Sequence, residues 1–192
     1  AGIGAAALGF SGRRALSETN DKGVKINYRE LGSTGFKVSE IGFGAMNTRD
    51  PELIHAAIDA GINYIDTAHG YMRGVNEQIV GEVMQTKRDK VFLTTKLRVR
   101  DASETEDMMA TSLKRLMLDH VDLVLLHVVD TRELTLDEDI IQSFVKLREK
   151  GMTRFIGVST HSNQAEVMDA AVESGVWEAV LTGYNYHSPK EV

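Results

Sequence analysis

From residue 26 onward, short apolar runs alternate with segments in which apolar residues recur at helical spacing. The runs are continuously apolar, as expected for strands that are buried on both faces of a parallel sheet. They recur about every 20 to 35 residues, which is near the length of one βαβ unit. The pattern predicts six strands, at residues 41–43, 62–65, 91–94, 121–126, 155–158 and 179–181.

The segments between these runs carry helix end signals. Asp50 precedes Pro51, which predicts an N-cap followed by proline in the first turn, and Gly61 follows the last turn. Ser103 and Glu106 predict a capping box at the start of the helix that follows the third strand. Two further helices are predicted at residues 140–147, ended by Gly151, and at residues 164–174, ended by Gly175.

Before the first run, residues 26–31 and 36–39 flank Gly-Ser-Thr-Gly, which predicts a β-hairpin. The six βα repeats could form a doubly wound sheet, but no glycine-rich turn of the dinucleotide-binding type follows the first strand. A (β/α)8 TIM barrel has eight strands and about 250 residues. We therefore expect an α/β barrel of which about six βα units are present, in one domain at residues 26–192.

Residues 1–25 differ from the rest, since the first twelve are small, weakly apolar and uncharged and two arginines follow them. Two interpretations stay open: a remnant of an export signal, or an N-terminal tail. The corresponding location is either the cytoplasm or, after export, the periplasm. This segment is left out of the fold prediction.

Composition excludes several classes of protein. The net charge of −6 argues against a dedicated nucleic-acid binder, which would carry a basic face. The chain has no cysteine, so it forms neither disulfides nor thiolate metal sites. No apolar run reaches about 18 residues, so no membrane-spanning helix is predicted. Its charge and length leave the oligomeric state undetermined.

Polar side chains stand where successive predicted strands end. Asp66 follows the second strand and Tyr71 lies in the loop after it, Lys96 ends the third strand and His127 ends the fourth. In α/β barrels the functional groups gather at this end of the strands. Each residue alone could be a surface or capping residue. Four titratable groups at one face indicate a catalytic site.

Five segments together resemble the aldo-keto reductase family: LGSTGFKVSEIGFGAMN, GINYIDTAHGY with NEQIVGEVM, DKVFLTTK, SLKRLMLDHVDLVLLH and GMTRFIGVST. The resemblance covers about residues 26 to 186. It implies a catalytic tetrad of Asp66, Tyr71, Lys96 and His127. It also implies hydride transfer between NAD(P)H and an aldehyde or ketone, with Tyr71 as the general acid or base.

The implied chemistry needs these residue types. A phenol is a weak acid at neutral pH, so a charged lysine beside Tyr71 would stabilise the phenolate. Asp66 would hold the lysine, and His127 would hydrogen-bond the carbonyl oxygen of a small-molecule substrate. The resemblance also suggests a mixed polar and apolar wall for the substrate, which would include Met46, Asn47, Met72 and Arg73.

By the same resemblance, the cofactor would be NADP(H), with NAD(H) left open. The residues implied to bind it are Gly44, Ala45 and Met46 at the nicotinamide ribose, Asp66, and Ser159 with Thr160 at the carboxamide. Thr160 stands where many members have asparagine, and Leu181 stands where many have glutamine. No metal ligand set is predicted.

The segments GVSTHS and GYNYHSP, with the export-like N-terminus, resemble a bacterial subgroup whose members carry an export signal and a C-terminal iron–sulfur segment. Two other interpretations of the chain are weighed. A metal-dependent hydrolase on the same barrel lacks the paired histidines or HExxH motif that it would need. A non-catalytic, nicotinamide-sensing or partner-binding subunit on the same fold is the alternative to an enzyme.

Overall fold

The structure is a computed structural model, which describes residues 16–19 and 25–185. Its first sheet is antiparallel and contains β1 (Leu16–Thr19), β2 (Lys25–Glu30) and β3 (Lys37–Ser39) in that order. Strands β2 and β3 form the predicted hairpin. Strand β1 pairs with β2 as well, so the sheet extends into the segment that was left out as a tail. Residues 1–12, where the export remnant was considered, lie outside the described residues.

The second sheet confirms the predicted parallel arrangement. Its six strands lie in chain order, each hydrogen-bonded to the next. The predicted apolar runs overlap these strands, although the strand at residues 153–160 is longer than the run at residues 155–158 that predicted it. The strands are β4 (Phe43–Gly44), β5 (Tyr64–Asp66), β6 (Phe92–Leu97), β7 (Val121–Leu126), β8 (Thr153–Thr160) and β9 (Ala179–Thr182).

Helices connect these strands, and most of their ends follow the sequence signals. The helices are α1 (Pro51–Asp59), α2 (Val75–Lys87), α3 (Thr105–Leu116), α4 (Arg132–Thr135), α5 (Glu138–Glu149) and α6 (Gln164–Ser174). Asp50 caps α1 by accepting a hydrogen bond from the Glu52 amide at 2.9 Å. Gly151 and Gly175 lie just past α5 and α6 with positive φ, as helix-ending glycines do.

The predicted capping box of Ser103 and Glu106 is wrong. The carboxylate of Asp101 accepts hydrogen bonds from both the amide and the hydroxyl of Ser103 at the start of a short 3-10 turn, and α3 begins after that turn. The carboxylate of Glu106 instead forms an ion pair with Lys150 next to the end of α5. A contact across two helices thus replaces the local one.

The six-stranded sheet is strongly curled. Strands β6 and β8 are separated by β7, yet the rings of Phe92 and Phe155 lie 6.5 Å apart, which requires a concave face. Phe36 from the β2–β3 hairpin packs edge-on against both rings, at 5.2 and 6.1 Å. The hairpin therefore covers the end of the concave face at which the strands begin.

The convex face carries the main core. Apolar side chains from the strands pack there against α1, α2, α3, α5 and α6, in one continuous cluster that includes Ile65, Met84, Leu116 and Phe144. Because side chains alternate between the faces of a strand, the remaining strand residues point to the concave face. No helix in residues 25–185 is long and apolar enough to cross a membrane.

Candidate active site

Alternation along the strands determines which side chains meet on the concave face. Tyr64 packs on that face against Phe92, so Asp66, two residues further along β5, is expected there as well. On β6 the same alternation places Lys96 on the same face as Phe92. In the sheet Gly44 pairs with Asp66, and Asp66 with Thr94. The polar residues therefore lie on the concave face, at the end that is opposite the hairpin.

Lys96 lies at the centre of this group. Its side chain is one of the largest that are fully buried among the described residues. Its ammonium forms a short ion pair with the Asp66 carboxylate and donates a hydrogen bond to the Thr67 carbonyl oxygen at 2.8 Å. It also donates to the Tyr71 hydroxyl at 3.3 Å. A buried ammonium with three oxygen partners has one fixed position, so its charge acts on Tyr71 at a defined distance.

Tyr71 begins a short turn with unusual backbone geometry. The two residues after it, Met72 and Arg73, adopt φ of 50° and 55°, and Gly74 follows at 91°. Non-glycine residues rarely occupy this left-handed region, and such strain clusters at functional sites. The turn lets the chain reverse toward α2 directly after it has presented the phenol to Lys96.

His127 lies at the end of β7, with its ring edge-on to that of Tyr71 at 5.8 Å. Burial lowers the pKa of the His127 imidazole to about 4, and the positive charge of Lys96 acts in the same direction. The ring is therefore neutral at physiological pH, so one ring nitrogen keeps a proton to donate while the other is an acceptor. The next residue, Val128, also has a positive φ of 57°.

Asp66 is the carboxylate partner in the site. Burial raises the pKa of its carboxyl group above the ordinary value, and Lys96 opposes that rise by charge and hydrogen bonding. Its Oδ1 atom faces the ammonium, whereas its Oδ2 atom is buried without a hydrogen-bond partner. A buried carboxylate oxygen in that state is an acceptor available to a bound molecule.

Asp66, Tyr71 and Lys96 line a cleft of about 490 Å3, whereas His127 lies beside Tyr71 but is not among the lining residues. Four of the residues predicted for the cofactor line it, namely Gly44, Met46, Asp66 and Ser159. Met46 and Asn47, from the predicted substrate wall, line it too. The other lining residues are Thr48, Tyr71, Lys96, His161, Leu181, Thr182 and Gly183.

Two residues predicted for the cofactor do not line the cleft. Ala45 is fully buried, and its amide donates to the Asp66 carbonyl oxygen at 2.8 Å. Thr160 is fully buried as well, and its hydroxyl donates to the Ser162 carbonyl oxygen at 2.6 Å. Each neighbours a residue that does face the cleft, since adjacent strand residues point to opposite faces.

Sequence reasoning missed Thr182 and Asn76. Thr182 lines the cleft at the end of β9, but its side chain shares the face of its strand partner Thr160, and its hydroxyl is buried without a hydrogen-bond partner; nothing in the sequence distinguishes it from any threonine at a strand end. Asn76 is fully buried; its amide donates to the Ala45 carbonyl oxygen and accepts from Thr67, which ties the loop after β4 to the site. Within residues 25–185, no group of three or more His, Asp or Glu side chains could hold a metal ion.

Comparison with known proteins agrees with this geometry. Residues 40–189 match the model of the aldo/keto reductase family. An uncharacterised oxidoreductase of Bacillus subtilis, YqkF, is 36% identical over 149 residues, covering 69% of this chain and 48% of that protein. L-galactose dehydrogenase of Arabidopsis thaliana is 33% identical over 158 residues, covering 71% and 49%. The chain thus spans about half the length of these curated relatives.

The fold comparison points the same way. The holo form of aldo-keto reductase AKR11C1 from Bacillus halodurans superposes with a TM-score of 0.73 at 29% identity, over 82% of this chain and 57% of that one. A curled sheet of six parallel strands with an N-terminal antiparallel hairpin is part of a (β/α)8 barrel. The chain therefore belongs to the aldo/keto reductase family.

Proposed function

We propose that the protein reduces an aldehyde or ketone to an alcohol with NADPH, with Tyr71 as the general acid. The observation that carries this proposal is the contact of the Tyr71 hydroxyl with the ammonium of Lys96, at 3.3 Å, beside an open cleft. An ammonium at that distance favours the phenolate, which makes the phenol a better proton donor. Oxidation of an alcohol would use Tyr71 as the base.

Tyr71 transfers the proton directly to the substrate, in one step. As the carbonyl carbon is reduced, negative charge develops on its oxygen, and Tyr71 transfers its proton there. The resulting phenolate is stabilised by Lys96 until a proton returns from solvent. Asp66 keeps the ammonium in place, and neutral His127 donates a hydrogen bond that orients the carbonyl oxygen.

The residues around the cleft fit the nicotinamide end of the cofactor. One polar atom of the cleft, Asp66 Oδ2, is buried and without a partner. We assign the ribose hydroxyls to Asp66 with Gly44 and Met46, and the carboxamide to Ser159 rather than to the side chain of Thr160. When bound, the reduced nicotinamide supplies the hydride to the carbonyl carbon. NADPH is proposed, with NADH as the alternative.

Replacement of Tyr71 by phenylalanine tests the proposal. We expect Tyr71→Phe in the native protein to lower kcat for carbonyl reduction by about 10²- to 10⁴-fold, the range for loss of a general acid. The affinity for NADPH, read from cofactor fluorescence, should change little because the phenol is not proposed to bind it.

Tyr64 provides the matched control. It lies on β5 as well, its hydroxyl accepts a hydrogen bond from Thr94 at 3.0 Å, and it packs on Phe92 toward the hairpin. Tyr64→Phe removes the same atom and should leave kcat near that of the wild type. Equal rates in the wild type and Tyr71→Phe would refute the role of Tyr71, and no binding of NADPH or NADH at high concentration would refute the cofactor.

A further inference from the structure

A buried ion pair lies directly behind the tetrad, on the convex side of the sheet. Glu77 in α2 is fully buried, and Arg115 in α3 contacts it at 3.2 Å. None of the steps proposed above uses either residue. Burying a carboxylate is unfavourable unless it is paired and hydrogen-bonded, so the position of this pair needs an explanation.

The pair connects the two segments that carry Tyr71 and Lys96. The Thr95 hydroxyl, next to Lys96 on β6, donates to Glu77 Oε1 at 2.8 Å. Arg115 donates to the His69 carbonyl oxygen at 3.0 Å, two residues before Tyr71. The His69 amide in turn donates to the Lys96 carbonyl oxygen at 2.9 Å. These contacts close a ring that runs from β6 through both helices to the loop and back to β6.

Arg115 also packs against the far side of the Tyr71 turn. A Cβ atom placed on Gly74 would lie 2.3 Å from Arg115 Cζ, so the guanidinium lies flat against the backbone there. Hence one side chain touches the loop both before Tyr71, at His69, and after it, at Gly74. The strained residues Met72 and Arg73 lie between these two contacts.

We propose that Arg115, held by Glu77, is a positioning residue that fixes the approach of the Tyr71 hydroxyl to Lys96. The inference rests on the proposed function, because the position of the Tyr71 hydroxyl relative to Lys96 matters for the reaction only if Tyr71 is the general acid. A backbone held in a rarely populated conformation needs surrounding contacts that determine it. With the guanidinium removed, the turn can relax and the phenol moves relative to the ammonium.

The test compares Arg115 with a matched pair at the other end of the strands. Arg88 also donates to a backbone carbonyl oxygen, that of Val91 at 2.8 Å, and also pairs with a buried carboxylate, that of Asp122 at 2.9 Å. Arg115→Met and Arg88→Met therefore each remove one arginine that binds a buried carboxylate and a backbone carbonyl oxygen, although Asp122 keeps Arg154 as a second partner. Only Arg115 lies behind Tyr71.

We expect Arg115→Met to lower kcat by about 10- to 100-fold, as displacement of a reacting group by about 1 Å does, with KM nearly unchanged. Arg115→Lys should recover part of the loss. A crystal structure of Arg115→Met should show the Tyr71 hydroxyl displaced from the Lys96 ammonium, which it contacts at 3.3 Å in the wild type. Arg88→Met should change neither kcat nor that distance. If Arg115→Met does not fold, Arg115→Lys and Glu77→Gln serve in its place, with smaller changes in the same direction.

Two results would overturn the proposal: equal kcat in Arg115→Met and Arg88→Met, or an unchanged distance between the Tyr71 hydroxyl and the Lys96 ammonium in every variant of the Arg115 pair. The structural comparison does not require turnover. If the wild type reduced no carbonyl, the proposed function would fail, while the change in that distance would still decide whether Arg115 positions Tyr71.

Discussion

The two ends of the parallel strands both contain buried charges, but they differ in what those charges contact. Where β6 and β7 begin, the Asp122 carboxylate accepts from the Leu93 amide and pairs with Arg88 and Arg154. Where β5 and β6 end, Asp66 pairs with Lys96, whose ammonium also reaches a phenol beside an open cleft. The Asp122 carboxylate is enclosed by protein groups, whereas Asp66 and Lys96 face a space that a ligand can enter.

The two ends also differ in side-chain packing and in backbone conformation. The hairpin end is covered by stacked and edge-on aromatic rings of Phe36, Phe92 and Phe155. At the cleft end, the residues directly after Tyr71 and His127 have positive φ, which costs on the order of 1–3 kcal/mol per residue. Met117, which ends α3 before β7 begins, also has a positive φ of 55°. The residues after Tyr71 and His127 differ from it because they lie next to the proposed reacting groups, and a burial argument alone does not separate stabilising charges from catalytic ones.

The largest expected difference comes from removing one charge at each end. Lys96→Met should lower kcat by about 10²- to 10⁴-fold, because Tyr71 loses the cation that stabilises its phenolate. Asp122→Asn should leave kcat near the wild-type value, yet lower the free energy of unfolding by about 3 kcal/mol, because two cations lose their buried partner. Steady-state reduction of a carbonyl and urea unfolding of both variants measure these effects.

The comparison would fail in either of two ways. A loss of activity in Asp122→Asn as large as that in Lys96→Met would mean that both pairs act through general stability. A Lys96→Met variant that retained most of the wild-type kcat would mean that Tyr71 donates its proton without help from the ammonium.

The sequence was sufficient to predict the parallel sheet and most helix ends, because continuous apolar runs and caps such as Asp50 are local signals. Contacts between distant segments were not predictable in the same way. Strand β1 was missed because its residues, LSET, have no apolar run and gain their structure by pairing with β2. The capping box failed because Asp101 and Lys150 take the two partners that it needed.

The tetrad residues were predicted from their places at strand ends, and alternation along the strands explains why Asp66 and Lys96 meet and why Thr160 does not join them. Lys96 and Asp66 share the concave face with the residues two positions earlier. Thr160 neighbours Ser159 and therefore points away from the cleft, a difference that period-two counting could have predicted. The contacts of Arg115 with the Tyr71 loop join residues about 40 positions apart, and no local pattern marks them.

A smaller effect is expected from the two glycines that flank the Tyr71 turn. Gly74→Ala adds a Cβ 2.3 Å from Arg115 Cζ at a φ of 91°, and should cost about 1 to 3 kcal/mol in unfolding free energy together with a fall in kcat. Gly70 has a φ of −86° and open space around it. Gly70→Ala should change stability by no more than about 0.5 kcal/mol. If thermal unfolding and kcat were equal in both variants, the turn would not depend on the space that Gly74 leaves for Arg115.

The smallest expected effect concerns His127, at the cleft end. The protonation of this residue should make the free energy of unfolding depend on pH. Burial lowers its pKa from 6.5 to about 4 in the folded protein, so the folded state binds that proton more weakly than the unfolded chain. The contribution of neutral His127 to stability is then fully present above pH 6.5 and is lost as the pH falls toward about 4. After allowance for the exposed part of the ring, the loss should reach at most about 2 kcal/mol.

Urea unfolding of the wild type and His127→Gln across this pH range isolates that contribution. Above pH 6.5 the difference in unfolding free energy between the two should be constant, and below it the wild type should lose stability faster than the variant. Because His69 also has a lowered pKa, owing mainly to burial, its contribution is present in both proteins and cancels in the difference. Parallel curves down to about pH 4 would show that His127 is as readily protonated in the fold as in the unfolded chain, and would remove the basis for treating it as a neutral hydrogen-bond donor.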